Sequence, residues 1–160
     1  MASASDPFLE AARQVLDEAL AWLRSSLEGV DAATLDRRPG GDDTNSMAVL
    51  AVHAVHSTRS WLSVATGAPL PERDRDAEFR RAGSSPDALL AEVDTVAADC
   101  RRLLAEARDV DWGARRRTHP RPRPDASEEV TGAWALLHAL EHLKEHAGQL
   151  ALTRQLLARA

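Results

Sequence analysis

The segment Leu136-Leu137-His138-Ala139-Leu140-Glu141-His142-Leu143-Lys144-Glu145-His146-Ala147-Gly148-Gln149-Leu150 carries the reading of the whole chain. Plotted at about 100° per residue, Leu136, Ala139, Leu143 and Leu150 fall on one arc, the signature of an amphipathic helix that packs into a core. Its three histidines are spaced four apart, so they stack along one side of that helix. Histidine is a mediocre helix former, and helix propensity gives no reason to repeat it. His146 lies on the edge of the apolar arc with His142 beside it. His138 lies further round, towards Glu141 and Glu145. Spacing alone leaves three readings open: a solvated stripe, buried polar residues, or part of a metal site.

Working outward, three more segments carry helical period. The first runs from about Pro7 to Leu27, with Asp6 as N-cap and Pro7 at the first helical position. Leu9, Leu16, Leu20, Leu23 and Leu27 form its apolar seam, and Gly29 marks its end. The linker Arg37-Arg38-Pro39-Gly40-Gly41-Asp42-Asp43 is turn chemistry. The second helix runs from about Ser46 to Thr66, capped by Thr44, Asn45 or Ser46. Met47, Leu50, Ala54 and Trp61 lie on its apolar side, and Gly67, Pro69 and Pro71 close it. The third opens with the cap Ser85 and an N1 proline, Pro86. Leu89, Leu90, Val93, Val96, Ala97, Cys100, Leu103 and Leu104 make its apolar face. The fourth spans about Ser127 to Leu157, with Ser127 as cap and Glu128 and Glu129 in its first turn.

No strand-like alternation and no internal repeat stand out. The expectation is an all-α fold, a four-helix bundle forming a single domain over residues 1–160. The short first linker predicts that helices one and two are antiparallel neighbours. The connection from Gly67 to Ser84 is long enough to run the length of a bundle, since extended chain covers about 3.3 Å per residue. It could therefore join two parallel helices. The stretch from Asp109 to Ala126, with Pro120, Pro122, Pro124 and the run Arg115-Arg116-Arg117, reads as a mobile loop.

Composition narrows the function classes. The chain has 160 residues, 44% hydrophobic and 28% charged, which is ordinary globular composition. The formal net charge of −5 argues against a general nucleic-acid binder. One cysteine, Cys100, excludes an intrachain disulfide and any CxxC site. No apolar run reaches membrane-spanning length, and the N-terminal residues lack a signal-peptide pattern. The expectation is a soluble, cytoplasmic protein that acts on a small molecule, with no membrane or nucleic-acid partner. Tryptophans on several helices make a homodimer an expectation as well.

Five of the six histidines lie on the second and fourth helices. On the second, His53 falls close to Leu50, Ser57, Trp61 and Val64, whereas His56 falls further out. The wheels thus nominate His53, His142 and His146 as inward-facing, with Gln149 and Thr153 on the same flank. Two histidines at i and i+4 plus one from a facing helix can present three imidazole nitrogens to one point. Imidazole suits zinc, nickel, copper and iron, and three protein ligands leave positions open for water or substrate. His56 and His138 read as spectators, with second-shell contact or ligation as alternatives. Cys100 reads as a core residue, Gly148 as a close-packing position and Glu145 as a weak candidate proton acceptor.

Two segments carry a family resemblance. Asn45-Ser46-Met47-Ala48-Val49-Leu50-Ala51-Val52-His53, followed by Trp61-Leu62, is similar to the second-helix pattern of the DinB/YfiT-like superfamily of metal-dependent bundle proteins. His142-Leu143-Lys144-Glu145-His146-Ala147-Gly148-Gln149 is similar to its fourth-helix His-x3-His-x-Gly-Gln signature. Many members carry Arg where this chain has Ala147. The resemblance implies up-down-down-up topology with a long connection between helices two and three. It also implies that His53, His142 and His146 ligate a divalent ion, zinc or nickel first. Better-understood branches use low-molecular-weight thiols such as mycothiol or bacillithiol, as S-transferases or as a maleylpyruvate isomerase. In that isomerase branch one fourth-helix ligand is a glutamate, from which His142 departs. The expected function is therefore a metal-dependent thiol S-transferase or related small-molecule enzyme. The alternatives are a metal-dependent hydrolase using the same ligands and a non-catalytic metal- or ligand-binding bundle.

Overall fold

The computed structural model describes residues 6–83, 85–118 and 129–158. Four long helices dominate: α1 (Pro7–Leu27), α3 (Met47–Thr66), α5 (Pro86–Ala105) and α6 (Gly132–Leu157). Two short helices, α2 (Ala32–Asp36) and α4 (Arg75–Phe79), lie in the connections. Two three-residue strands, β1 (Arg115–Arg117) and β2 (Glu129–Thr131), pair antiparallel, with Arg116 opposite Val130.

The helix starts follow side-chain chemistry. Asp6, Ser46 and Ser85 each accept a hydrogen bond from a backbone N–H of the first turn, of Phe8, Val49 and Ala88 respectively. Prolines at the first position of α1 and α5 lose no helical hydrogen bond there. Gly67 ends α3 in the left-handed conformation at φ +77°, where a side chain would be strained.

Contacts across the seams fix the direction of each helix. Arg24 meets Asp94 while Arg101 meets Asp17, so α1 and α5 run antiparallel. Lys144 meets Glu18 and Arg154 donates to the Ser25 carbonyl, so α1 and α6 run parallel. His56 pairs with Glu92 and Arg59 with Asp99, which makes α3 and α5 parallel. Trp61 packs on Trp134 and His53 on His146, which makes α3 and α6 antiparallel. The result is an all-α, up-down-down-up four-helix bundle, and the connection between α3 and α5 joins parallel helices as expected.

Four features differ from the sequence expectations. First, α1 and α3 each pack along α5 and α6, so they sit diagonally rather than side by side. The segment between them contains α2 and a 3-10 turn at Gly41–Asp43, which lets it cross the bundle end. Second, the connection after α3 is partly helical, because Asp74 caps α4 by accepting from the Ala77 N–H. Third, the cap of α6 is Thr131, whose side chain accepts from the Trp134 N–H. Glu129 belongs to a strand, while Ser127 and Glu128 lie outside the described residues. Fourth, Arg115–Arg117 are not loop. Arg116 donates to the Asp111 carbonyl at 2.9 Å and lies against Gly67 and Gly132. A Cβ at Gly132 would come within 2.8 Å of the Ala65 carbonyl oxygen, so this crossing of α3 and α6 requires glycine. The rest of that predicted loop, from His119 to Ala126, lies outside the described residues.

The core is aliphatic. Leu16, Leu23, Leu62, Leu104, Leu136, Leu143 and Leu150 are all within 2% of full burial. The α3 helix is buried on nearly every side. Apart from His53 its buried polar residues are small, and Thr58 and Ser63 donate to the Ala54 and Arg59 carbonyls one turn back. Their hydroxyls are thereby satisfied without water.

Candidate metal centre

Halfway along the α3–α6 seam, three imidazoles meet. One ring nitrogen each from His53, His142 and His146 lie within 4.8 Å of one another, an arrangement able to hold a metal ion. The ring centres of His53 are 5.2 Å from those of His142 and 5.0 Å from those of His146. His53 is buried and the other two are half-buried. No ligand-bearing loop is involved: two packed helices supply all three groups, so the backbone under the site is rigid.

The hydrogen bonds of these rings differ. The His146 Nδ1 lies 2.8 Å from Gln149 Oε1, and the Gln149 amide nitrogen donates to Glu145 at 3.0 Å. The second bond orients the amide, so His146 Nδ1–H is the donor and its Nε2 carries the lone pair. His53 Nδ1 lies 3.0 Å from Glu78 Oε2. His142 Nε2 sits 3.1 Å from His146 Nε2, while its buried Nδ1 has no hydrogen-bond partner. A proton or a cation must therefore lie between those two Nε2 atoms, since facing lone pairs repel.

Burial pushes the pKa of His142 down to about 3, helped by the charges His146, His53, His138 and Arg73 can carry. Burial likewise lowers that of His146, partly opposed by Gln149. Both rings are thus neutral near pH 7, which is the ligand form.

Around the three rings, α4 closes one side. Phe79 packs on His53 at 4.7 Å between ring centres, and the Arg75 guanidinium lies over Phe79 at 4.7 Å. On the other side His138 stacks on Trp134 at 4.7 Å and meets Trp61 edge-on at 4.6 Å. His138 and His56 are half-buried rather than exposed spectators. His56 pairs with Glu92 at 3.0 Å, away from the three converging rings. Glu145 reaches the site only through Gln149. Trp61 is buried, whereas Trp22 and Trp134 are 44% and 46% exposed. A Cβ at Gly148 would meet the Trp22 ring at 3.4 Å, an ordinary van der Waals distance, so packing does not demand glycine at this position. Cys100 is fully buried with its thiol pKa pushed up to about 12 by burial, so it is a core residue and no nucleophile.

Residues 9–150 fit the sequence model of the DinB superfamily. The chain belongs to the DinB superfamily. Solved structures agree on the fold. A conserved protein from Enterococcus faecalis superposes with a TM-score of 0.71 at 15% identity, over 94% of this chain and 97% of that one. A mycothiol-dependent maleylpyruvate isomerase superposes with a TM-score of 0.66 at 17% identity, over 89% of this chain. A histidine-to-alanine mutant of that isomerase gives the same TM-score. This DinB-superfamily chain spans about 60% of the isomerase's length. No curated protein is significantly similar in sequence.

Sequence reasoning missed Glu78, Arg73 and Phe79. Glu78 is 6% exposed and receives both Arg73 Nε at 2.7 Å and Arg73 Nη2 at 2.8 Å. In sequence it stands within Arg73-Asp74-Arg75-Asp76-Ala77-Glu78-Phe79, where every other charge is a solvent-facing candidate. A lone phenylalanine in that charged run was the one available signal that part of it packs inward.

Proposed function

We propose that this protein is a metal-dependent enzyme in which His53, His142 and His146 hold one divalent ion, zinc or nickel, for chemistry on a low-molecular-weight thiol. The carrying observation is the convergence of three imidazole nitrogens within 4.8 Å of one another. The orientation of His146, with Nδ1–H engaged and Nε2 turned to His142, fits a shared cation. The chemistry of the donor set fits as well: three neutral imidazoles suit a borderline divalent ion and leave positions open.

The ion would supply positive charge that favours the thiolate form of a bound thiol. The remaining work belongs to the chain. The rigid α3–α6 seam fixes the three ligands relative to one another. Phe79 on one side and the Trp61–Trp134–His138 cluster on the other limit the contact of the rings with water, which strengthens charge interactions there. Gln149 keeps the His146 proton on Nδ1.

Transfer of a thiol to an electrophile is favoured over hydrolysis because a structural neighbour is, by name, mycothiol-dependent. The experiment is turnover with a panel of thiols and electrophiles, using zinc-loaded, nickel-loaded and chelator-treated protein. The proposal predicts thiol consumption that needs the metal and disappears in His146→Ala. Equal turnover after complete metal removal would refute it. Ester or amide hydrolysis without any thiol would support the hydrolase reading instead.

A further inference from the structure

We propose that Glu78, clamped by Arg73, is the positioning residue of this centre: it holds the His53 proton on Nδ1 and thereby aims the Nε2 lone pair at His142 and His146. The inference rests on the metal-centre reading above and adds a residue from outside the three histidines.

His53 Nδ1 has two neighbours: Glu78 Oε2 at 3.0 Å and Arg73 Nη2 at 3.3 Å. A guanidinium has only donors, and an ionised carboxylate only acceptors. If Nδ1 carried a lone pair, it would face the Glu78 carboxylate with no proton between them. The carboxylate meets the Arg73 guanidinium at two points, Nε to Oε1 at 2.7 Å and Nη2 to Oε2 at 2.8 Å, the pairing an ionised carboxylate makes. Nδ1 must therefore carry the proton and donate it to Glu78. The Arg73 guanidinium spends its two nearest nitrogens on the same carboxylate, through Oε1 and Oε2. That two-point grip fixes the carboxylate plane, which a single bond would leave free to rotate.

The tautomer then decides the ligand atom. With Nδ1 protonated, only Nε2 of His53 can donate a pair to a cation. The negative charge behind the ring also favours a cation at that nitrogen. Carboxylate–histidine–metal chains of this kind typically change metal affinity by about 10–100-fold when the outer group is removed. The other two ligands lack such support. His146 has a neutral amide partner, and His142 Nδ1 has none. Glu78 is thus the one carboxylate among the described residues that hydrogen-bonds directly to a ring of the centre. It reaches the centre from α4, in the long connection, so the segment between α3 and α5 has a task beyond linking parallel helices.

The test uses the full chain and two variants, Glu78→Gln and Glu78→Ala, with two readouts. The first is the tautomer of His53 in the metal-free protein near pH 7, read from imidazole nitrogen chemical shifts. The second is zinc affinity, read by competition with a chromophoric chelator. The proposal expects wild-type His53 to be protonated on Nδ1. Glu78→Gln keeps an acceptor of the same shape, so it should keep the tautomer and lose about 3–10-fold in affinity. Glu78→Ala should mix the tautomers and lose about 10–100-fold. Wild-type His53 protonated on Nε2 would overturn the proposal. So would Glu78→Ala with unchanged tautomer, whatever its affinity, because the carboxylate would then act only through the fold. Failure of the wild type to bind zinc would sink the metal reading alone, and the tautomer measurements would still decide the hold of Glu78 on His53.

Discussion

Two seams on opposite sides of the bundle solve the same packing problem in different ways. Along α1 and α5 nearly all buried side chains are apolar, among them Leu9, Leu16, Leu20 and Leu23 on the first and Leu89, Val93, Val96, Cys100 and Leu104 on the second. Charge is kept to the rim, where Arg101 meets Asp17 and Arg13 donates to the Leu104 carbonyl at 2.7 Å. Between α3 and α6 the same aliphatic frame is interrupted by imidazoles, an ionised glutamate and an arginine. Burying such groups costs stability unless each is paired. The α1–α5 seam shows that this bundle closes without them. The polar groups of the α3–α6 seam are therefore a local departure from the aliphatic frame.

Cavity formation in the apolar frame should give the largest stability effect. Leu16→Ala and Leu143→Ala, one on each side, should each cost about 2–5 kcal/mol in denaturant unfolding. Equal costs would show that the frame is shared. A negligible cost at Leu143 would break the comparison, since the polar seam would then contribute no core of its own.

The next effect concerns acid. His142 in the folded protein titrates at about 3, against 6.5 for its ordinary value. Below pH 6.5 the unfolded chain therefore binds a proton that the folded chain refuses. The corresponding stability is present above pH 6.5 and is lost as the pH falls towards 3. Replacing the ring with an apolar group also removes the unpartnered Nδ1. In metal-free protein, His142→Leu should thus gain about 1 kcal/mol at neutral pH, and more at pH 5. A variant destabilised at both values would mean that the seam depends on the imidazole for packing.

Smaller still is the expected reactivity of Cys100. With its thiol near 12 and fully buried, it should resist alkylation by iodoacetamide at pH 8 in folded protein and react once denatured. Fast labelling of the native state would place an opening in the α1–α5 seam. The smallest effect belongs to the rim. Arg101→Ala should change stability by less than about 1 kcal/mol, because exposed ion pairs are screened by water and salt.

Periodicity made the convergence of His53, His142 and His146 legible in the sequence, since the wheels place all three inward and helix packing brings them together. Caps were legible at Asp6 and Ser85, where an acceptor precedes an unbroken apolar period, while Thr44, Asn45 and Ser46 competed at the second long helix, where Ser46 is the cap. At the start of α6 two good caps compete, Ser127 and Thr131. Pairing of Glu129–Thr131 with Arg115–Arg117 decides for the second. Such three-residue strands leave too few residues for alternation to show. The diagonal placement of α1 and α3 was hidden because linker composition reports turns but not which neighbours a helix chooses. Glu78 was hidden for a related reason. Its burial depends on Arg73 folding back five residues to neutralise it, and no single-residue pattern records that pairing.

The most direct test of the account is elemental analysis of the protein purified without a histidine tag, beside the triple variant His53→Ala, His142→Ala, His146→Ala. The account predicts one zinc or nickel per wild-type chain and none in the variant, with the variant still helical and monodisperse. A variant that retains the wild-type metal content, or a folded wild type that takes up no divalent ion when one is supplied at neutral pH, would contradict it.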